Sequence, residues 1–106
     1  MGVQTCIYPT LWNVLTMLSE LPADSLFALA ATGKVQWPLI TMSILLGGNV
    51  RVGLEDNLYL RRGQKLKGNG EAIEKVVRLA NELGREIATP VEARAMLGLS
   101  ATPSSY

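Results

Sequence analysis

Two short apolar runs separated by a predicted helix constrain the fold of this chain more than any other feature. Ser25–Ala31 is a continuous apolar run that is typical of a strand buried on both faces, and Val50–Leu54 is a second one. Between them, Pro38 fits the first turn of a helix that runs to about Leu46 and ends at Gly47–Gly48. This strand–helix–strand order predicts an α/β fold with parallel strands.

Three further helices are predicted from their capping residues. Thr10 is placed to cap a helix from Leu11 to about Glu20, and Asn69 to cap one that ends at Gly84. Thr89 to Glu92 forms a capping box before a short helix that Gly98 closes. The apolar stripes expected to face the core are Leu11, Val14, Leu15 and Leu18 in the first of these helices, and Ile73, Val76, Val77, Ala80 and Leu83 in the second. Residues 56–68 are predicted to be a polar loop, and residues 100–106 to be frayed.

Two strands are too few for a stable sheet that is covered on both faces. We therefore expect residues 1–106 to form a single incomplete domain, with further strands on its N-terminal side. The apolar strands would then present unpaired edges, which promote association between chains. The isolated chain is accordingly expected to oligomerise, to aggregate or to be partly disordered.

Composition excludes several classes of function. The chain has no histidine, so a Ser-His-Asp triad, a Cys-His dyad and a histidine-based metal site cannot be built within it. Its net charge of +1 gives no reason to expect nucleic acid or anionic lipid as a partner. Cys6 is the one cysteine, which predicts a buried apolar thiol in a reducing, cytoplasmic compartment. The uncharged run Val35–Val50 is shorter than the roughly 20 residues that span a bilayer.

A charged row on the second strand is the strongest candidate for a functional site. Side chains alternate along a strand, so Arg51, Gly53 and Glu55 share one face. Gly53 leaves space through which the Arg51 guanidinium can extend toward Glu55. Glu55 and Asp56 lie at the C-terminal end of the strand, where barrel enzymes carry their active sites. The pattern is compatible with catalysis, and also with a buried Arg–Glu pair that only fixes packing.

The segment GGNVRVGLEDNLYL at residues 47–60, with Gly63–Gln64, Asn69 and the ending ATPVEARAMLGL, resembles the β-keto acid cleavage enzymes. The resemblance implies a (β/α)8 TIM barrel, which takes about 250 residues, so the chain is expected to be its C-terminal fragment. It implies a retro-Claisen acyl transfer between a β-keto acid and acetyl-CoA, giving acetoacetate and a new CoA ester. The implied partners are these substrates and further copies of the same subunit, without nucleic acid or membrane.

The same resemblance implies a role for three residues. Glu55 corresponds to the glutamate of a His, His, Glu zinc site, whose histidines would lie outside this chain. Asp56 corresponds to the aspartate that works in proton abstraction, and Arg51 to the arginine that supports it and the anionic intermediate. Zinc would polarise the keto carbonyl. The alternative is a truncated, non-catalytic barrel remnant or an interaction fragment.

The residues that contact CoA are not assigned by the sequence. Arg61, Arg62, Lys65 and Lys67 make the loop after the motif basic, either to meet CoA phosphates or as a solvated surface. Gly33 either presents its backbone N–H to a phosphate or forms a plain turn.

Overall fold

The computed structural model describes residues 1–3 and 5–102. A 3₁₀ helix at Gly33–Val35 precedes the second of the four α-helices found in these described residues. The helices and strands, in chain order, are α1 (Leu11–Ser19), β1 (Ala28–Leu29), α2 (Gln36–Leu45), β2 (Asn49–Val50), β3 (Tyr59–Arg61), β4 (Gln64–Lys65), α3 (Asn69–Glu82) and α4 (Pro90–Met96).

The parallel pairing predicted for the two apolar runs is confirmed, but the strands are much shorter than predicted. Ala28 pairs with Asn49 and Leu29 with Val50, and α2 connects the two strands. Beyond this pair, the backbone N–H of Arg51 donates to the Leu29 carbonyl at 3.1 Å, and there the ladder ends. Burial on both faces is also wrong, since Ala28 and Arg51 are exposed. Within the described residues each strand has one neighbour, which is too little to extend or cover a parallel sheet.

Helix α2 is the centre of the core because it packs on both sides. Its Ile40 and Ile44 contact Val76 and Ala80 of α3. Its Leu39 packs in a second cluster with Val14 of α1 and Ala31. A largely uncharged helix of this kind suits a position that is covered from several directions.

The predicted helix ends are largely confirmed. Thr10 caps α1 by accepting a hydrogen bond from the Asn13 N–H at 3.2 Å, and α1 ends at Ser19. After α2, Gly47 adopts a φ of 85°, which few residues other than glycine tolerate. The Gly47 N–H then donates to Ile44 at 3.3 Å and the Gly48 N–H to Ser43 at 2.8 Å, which is a Schellman motif.

Four local predictions are wrong. Gly68, not Asn69, is the N-cap of α3, and Asn69 is its first helical residue. The predicted polar loop 56–68 contains the antiparallel hairpin β3–β4. Cys6 is exposed, because it lies in an irregular segment before α1 and not in the core. Half of the α1 stripe is also uncovered, with Leu11 45% and Leu15 36% exposed.

Two predictions concern the ends and the uncharged run. Residues 103–106 of the predicted frayed end lie outside the described residues. The run 35–50 is divided between α2 and β2. Within residues 1–3 and 5–102, none of the helices has the length and apolar character needed to cross a membrane.

Candidate functional site

The charged row predicted on the second strand folds as a turn, which we call the acidic turn (Gly53–Asn57). The backbone N–H groups of Asp56 and Asn57 both donate to the Gly53 carbonyl, at 3.0 and 3.2 Å. This turn reverses the chain shortly after β2. It brings Glu55 and Asp56 close to Arg51, whereas an extended strand would hold Arg51 and Glu55 too far apart for direct contact.

Arg51 binds both carboxylates through separate guanidinium nitrogens. Its Nη1 donates to Asp56 Oδ2 at 2.8 Å, and its Nη2 donates to Glu55 Oε1. Strand alternation predicts that Glu55 and Asp56 face opposite directions, and that expectation is wrong. The strand ladder ends before Gly53, so alternation does not govern the residues that follow.

Gly53 has a different role from the one predicted. A Cβ atom at this position would lie 2.3 Å from Glu55 Oε2 and 2.6 Å from Glu55 Cδ. The space left by the missing side chain therefore holds the Glu55 carboxylate, and not the extended guanidinium of Arg51. Gly53 is needed here for close approach, so that the carboxylate can lie against the backbone of the turn.

Exposure differs between the three charged side chains. Those of Arg51 and Glu55 are 56% and 60% exposed, whereas that of Asp56 is 13% exposed. The Arg51–Glu55 pair is therefore not the buried packing pair considered from the sequence. Exposed ion pairs contribute about 0–1 kcal/mol to stability, so this one adds little to the fold. Glu55 is open to a ligand, while Asp56 is sheltered.

Distant parts of the chain hold the acidic turn in place. The Gly33 N–H donates to the Asp56 carbonyl at 2.7 Å, and the Leu54 N–H donates to Asn69 Oδ1 at 2.9 Å. The Gly33 N–H is thus engaged, so its predicted alternative as a phosphate ligand is wrong. The Asn69 side chain accepts a hydrogen bond from the turn and not from the N–H groups of its own helix. It therefore does not cap α3.

Sequence reasoning missed Asn57 and Gln36, which are both buried. Asn57 Nδ2 donates to Gln36 Oε1 at 3.3 Å and to the Tyr59 carbonyl at 2.9 Å. Asn57 lies within the RVGLEDN string, so the resemblance gave a signal for it. Gln36 stands in an uncharged helix without any motif, and nothing in the sequence marks it.

The basic hairpin β3–β4 follows directly after the turn. Its position is set by Trp37, whose Nε1 donates to the Tyr59 carbonyl at 2.8 Å, and by Lys75, whose Nζ donates to the Leu60 carbonyl. Lys75 Nζ also lies 3.9 Å from the centre of the Trp37 ring. Burial lowers the pKa of Lys75, and the nearby charges of Arg78 and Arg61 lower it further. The basic residues at 61, 62, 65 and 67 are exposed.

The donors needed for a complete metal site are not brought together in the described residues. Across residues 1–3 and 5–102 there is no group of three or more histidine, cysteine, aspartate or glutamate side chains that could hold a metal ion. Glu55 and Asp56 are adjacent carboxylates, and both are engaged by Arg51. The turn can therefore present one exposed carboxylate as a ligand and one sheltered carboxylate as a base.

Comparison with known proteins decides the family. The family model for BKACE, beta-keto acid cleavage enzyme, matches residues 1–99. The chain belongs to this family. The resemblance carried by residues 47–60 is thereby confirmed, and the match extends over the N-terminal segment as well.

The chain is also similar to several named enzymes. The chain is 48% identical over 100 residues to 3-keto-5-aminohexanoate cleavage enzyme of Acetoanaerobium sticklandii, covering 94% of this chain and 37% of the relative. It is 48% identical over 87 residues to the enzyme of the same name from Fusobacterium nucleatum, covering 82% and 32%. It is 35% identical over 100 residues to 3-dehydrocarnitine:acetyl-CoA trimethylamine transferase of Rhizobium meliloti, covering 94% and 33%. The chain spans about a third of the length of these curated relatives.

Proposed function

We propose that this chain supplies part of the active site of a β-keto acid cleavage enzyme. The reaction is a zinc-dependent retro-Claisen acyl transfer between a β-keto acid and acetyl-CoA, giving acetoacetate and a new CoA ester. The observation that carries the proposal is the convergence of the Glu55 and Asp56 carboxylates on Arg51, in a turn that follows a parallel strand. Membership of the family supports the reaction class.

Asp56 is the proposed base for proton abstraction. Arg51 Nη1 binds Asp56 Oδ2, which leaves the other carboxylate oxygen for a substrate proton. The bond fixes the direction of the carboxylate, and its 13% exposure restricts competing water. The Arg51 side chain is 56% exposed, and its guanidinium also has the geometry to stabilise an anionic intermediate next to it.

Glu55 is the proposed metal ligand in this chain. A carboxylate oxygen is a normal zinc ligand, and the side chain is 60% exposed at the end of the turn. Catalytic zinc sites use about three protein ligands, so the remaining ligands must come from outside these residues. Zinc bound there would polarise the keto carbonyl. Arg51 would then orient the ligand by its hydrogen bond to Oε1.

We also propose that the site belongs to a larger barrel, and that it acts on a specific pair of substrates. The unit β1–α2–β2 fits two successive strands of a (β/α)8 barrel and the helix between them. Acetyl-CoA is the proposed co-substrate, because the Rhizobium meliloti relative is named as an acetyl-CoA-dependent transferase. The proposed β-keto acid is 3-keto-5-aminohexanoate, an intermediate of lysine fermentation. The basis is the 48% identity to the Acetoanaerobium sticklandii enzyme that is named for cleaving it. The cytoplasm is the proposed location, where acetyl-CoA is available.

A chimera tests this function directly. The matched 100 residues of the Acetoanaerobium sticklandii enzyme are replaced by those of this chain, with the unaltered enzyme as the reference. The chimera is expected to bind one zinc ion and to form acetoacetate from acetyl-CoA and the keto acid. A folded, zinc-loaded chimera without turnover would contradict the catalytic proposal and favour the non-catalytic alternative.

The isolated chain is expected to behave differently from the chimera. It has no histidine and one proposed ligand, so it should neither bind zinc tightly nor cleave β-keto acids. Equilibrium dialysis against zinc checks this. Stoichiometric, tight zinc on the isolated chain would show that the ligand set proposed here is wrong.

Self-association of the subunit is also proposed. Large apolar side chains are exposed at several places, with Trp12 77%, Val91 71% and Leu45 64% exposed. Such surface favours association, as do the open edges of the β1–β2 pair. Analytical ultracentrifugation of the isolated chain should show oligomers or aggregates. A single monomer with strongly protected amides at Ala28 and Val52 would contradict this.

A further inference from the structure

Gln36 is a buried polar residue whose side chain is only half satisfied. It is the first residue of α2 and is 0% exposed. Its Oε1 accepts a hydrogen bond from Asn57 Nδ2 at 3.3 Å. Its Nε2 has no hydrogen-bond partner among the described residues. An unpaired buried donor destabilises a fold. Unfavourable groups of this kind are expected mainly at functional sites, where function requires them.

Gln36 reaches the acidic turn through Asn57. Both N–H groups of the Asn57 amide are used, one on Gln36 and one on the Tyr59 carbonyl at 2.9 Å. Its Oδ1 accepts from the Tyr59 N–H at 3.0 Å, and its backbone N–H donates to Gly53 at 3.2 Å. The orientation of Asn57 is therefore well determined, and among the described residues Gln36 is the one partner of Asn57 that lies outside the segment 53–59.

A second contact joins the same two parts of the chain. Gly33 lies three residues before Gln36, and its N–H donates to the Asp56 carbonyl at 2.7 Å. Two residues of the segment Gly33–Gln36 thus bind the acidic turn. The Gly33 backbone N–H binds the Asp56 carbonyl, and the Gln36 side-chain amide binds the Asn57 side chain. Because α2 contributes to both core clusters, these two contacts tie the acidic turn to the helix at the centre of the core.

We propose that Gln36, acting through Asn57, is a positioning residue that fixes the Asp56 carboxylate for proton abstraction. The role rests on the proposed function of Asp56. Gln36 is fully buried and does not touch the substrate, so its effect is on the placement of the turn. Small displacements of a reacting group reduce turnover strongly, whereas substrate binding by other residues is retained.

Gln36→Met tests this role because it separates placement from stability. Methionine fills similar space, removes the unpaired donor and also removes the acceptor for Asn57, which then has one orphan N–H instead. The melting temperature of the chimera should therefore stay close to that of the parent. Amide exchange at residues 53–57 should become about tenfold faster, as expected for the loss of one net hydrogen bond. In the chimera, kcat should fall about tenfold or more with KM unchanged.

Ser43→Ala is the matched control. Ser43 lies on the same helix, is 0% exposed, and donates to the Asn49 carbonyl at 2.6 Å, away from the acidic turn. This variant should lower the melting temperature while leaving kcat and the relative exchange of residues 53–57 at the parent values. Asn57→Ala provides a second route, since its loss of kcat should not add to that of Gln36→Met when the two are combined.

The outcomes separate the inference from the proposed function. Faster exchange of the turn in Gln36→Met at unchanged melting temperature, with a kcat loss shared with Asn57→Ala, supports the positioning role. Parent-like exchange and kcat in Gln36→Met, or changes that only follow stability as in Ser43→Ala, would overturn it. A folded but inactive parental chimera would overturn the proposed function, while amide exchange of residues 53–57 in that chimera would still decide whether Gln36 holds the turn.

Discussion

Helix α4 and the acidic turn differ in how far along the chain their hydrogen-bond partners lie. In α4 the Thr89 hydroxyl accepts from the Glu92 N–H at 3.3 Å, and the Glu92 carboxylate accepts from the Thr89 N–H at 2.7 Å. The partners are three residues apart, and no residue of α4 is buried. In the turn, Leu54 pairs with Asn69, fifteen residues away, and Asn57 pairs with Gln36, twenty-one residues away.

This difference shows which parts of the molecule can change independently. A helix that is specified by its own caps can weaken without affecting the rest of the chain. A turn held by distant partners depends on the packing of the elements that carry them. We therefore expect substitutions at long-range contacts to affect stability or the site, and substitutions in α4 to have local effects only.

Two glycines give the largest expected effects. A Cβ at Gly48 would lie 2.1 Å from Phe27 Cε2, whereas one at Gly53 would meet the Glu55 carboxylate. The packed ring cannot move aside as an exposed carboxylate can. Gly48→Ala should reduce the free energy of unfolding by about 1–3 kcal/mol. Gly53→Ala should reduce it by less than about 1 kcal/mol, and should weaken zinc binding by the chimera about 10–100-fold.

Chemical denaturation and zinc titration of both variants check this prediction. Gly48→Ala is the control for zinc, because it lies away from the turn and should leave the metal affinity of the folded fraction unchanged. A larger loss of stability in Gly53→Ala than in Gly48→Ala would mean that the scaffold, and not the site, requires Gly53.

Lys75 joins α3 to α2 and to the hairpin, so its removal should have an intermediate effect. Lys75→Met keeps the apolar stem but loses the contact with the Trp37 ring and the bond to the Leu60 carbonyl. The free energy of unfolding should fall by about 1 kcal/mol. Thermal unfolding measures the change, with Lys67→Met, at an exposed lysine that follows the hairpin, as a control. An effect no larger than that of the control would argue against the long-range contact.

The pKa of Lys75 adds a prediction about pH. It is lowered by burial, and then by Arg78 and Arg61, so the unfolded chain holds this proton more tightly than the folded one. Stability therefore gains from Lys75 as pH rises from the lowered pKa toward the ordinary value of 10.5. Arg78→Gln should raise the pKa of Lys75, as measured by side-chain NMR. An unchanged value would show that Arg78 is too far away to matter.

The smallest effect is expected in α4. Hydrogen bonds from the Thr89 backbone and then its side chain lower the pKa of Glu92 below its ordinary value of 4.5. Their contribution to stability is present above 4.5 and is lost as pH falls through the lowered pKa. Thr89→Ala should raise the pKa of Glu92 and reduce helicity, as measured by carboxyl NMR and circular dichroism. Amide exchange of residues 53–57 should not change; if it did, α4 would not be an independent element.

The same distinction explains what could be predicted from the sequence. The caps at Thr10 and Thr89 and the helix ends at Gly47 and Gly84 depend on residues within one or two turns, so spacing alone indicates them. The strands were predicted too long because apolar runs show which residues can be buried, and not whether neighbouring strands lie beside them. The hairpin β3–β4 was missed, although Gly63, with a φ of 78°, marks its turn.

The candidate site was predicted only in part for the same reason. Arg51, Glu55 and Asp56 are close in sequence, and strand geometry with the resemblance to the family indicated all three. The way in which they meet was wrong, because the turn at Gly53 replaces the expected extended strand. The link from Asn57 to Gln36 spans twenty-one residues and involves uncharged side chains, for which no periodicity or capping pattern gives a signal.

The most direct test of the account is the zinc content of three forms of the chimera: parent, Glu55→Gln and Asp56→Asn. Glu55 is proposed as the metal ligand and Asp56 as the base, although both bind Arg51. We predict that Glu55→Gln loses zinc, whereas Asp56→Asn keeps one zinc per chain and loses turnover by about 10²–10⁴-fold. Equal loss of zinc in both variants, or full zinc and turnover in Glu55→Gln, would contradict the division of roles within the acidic turn.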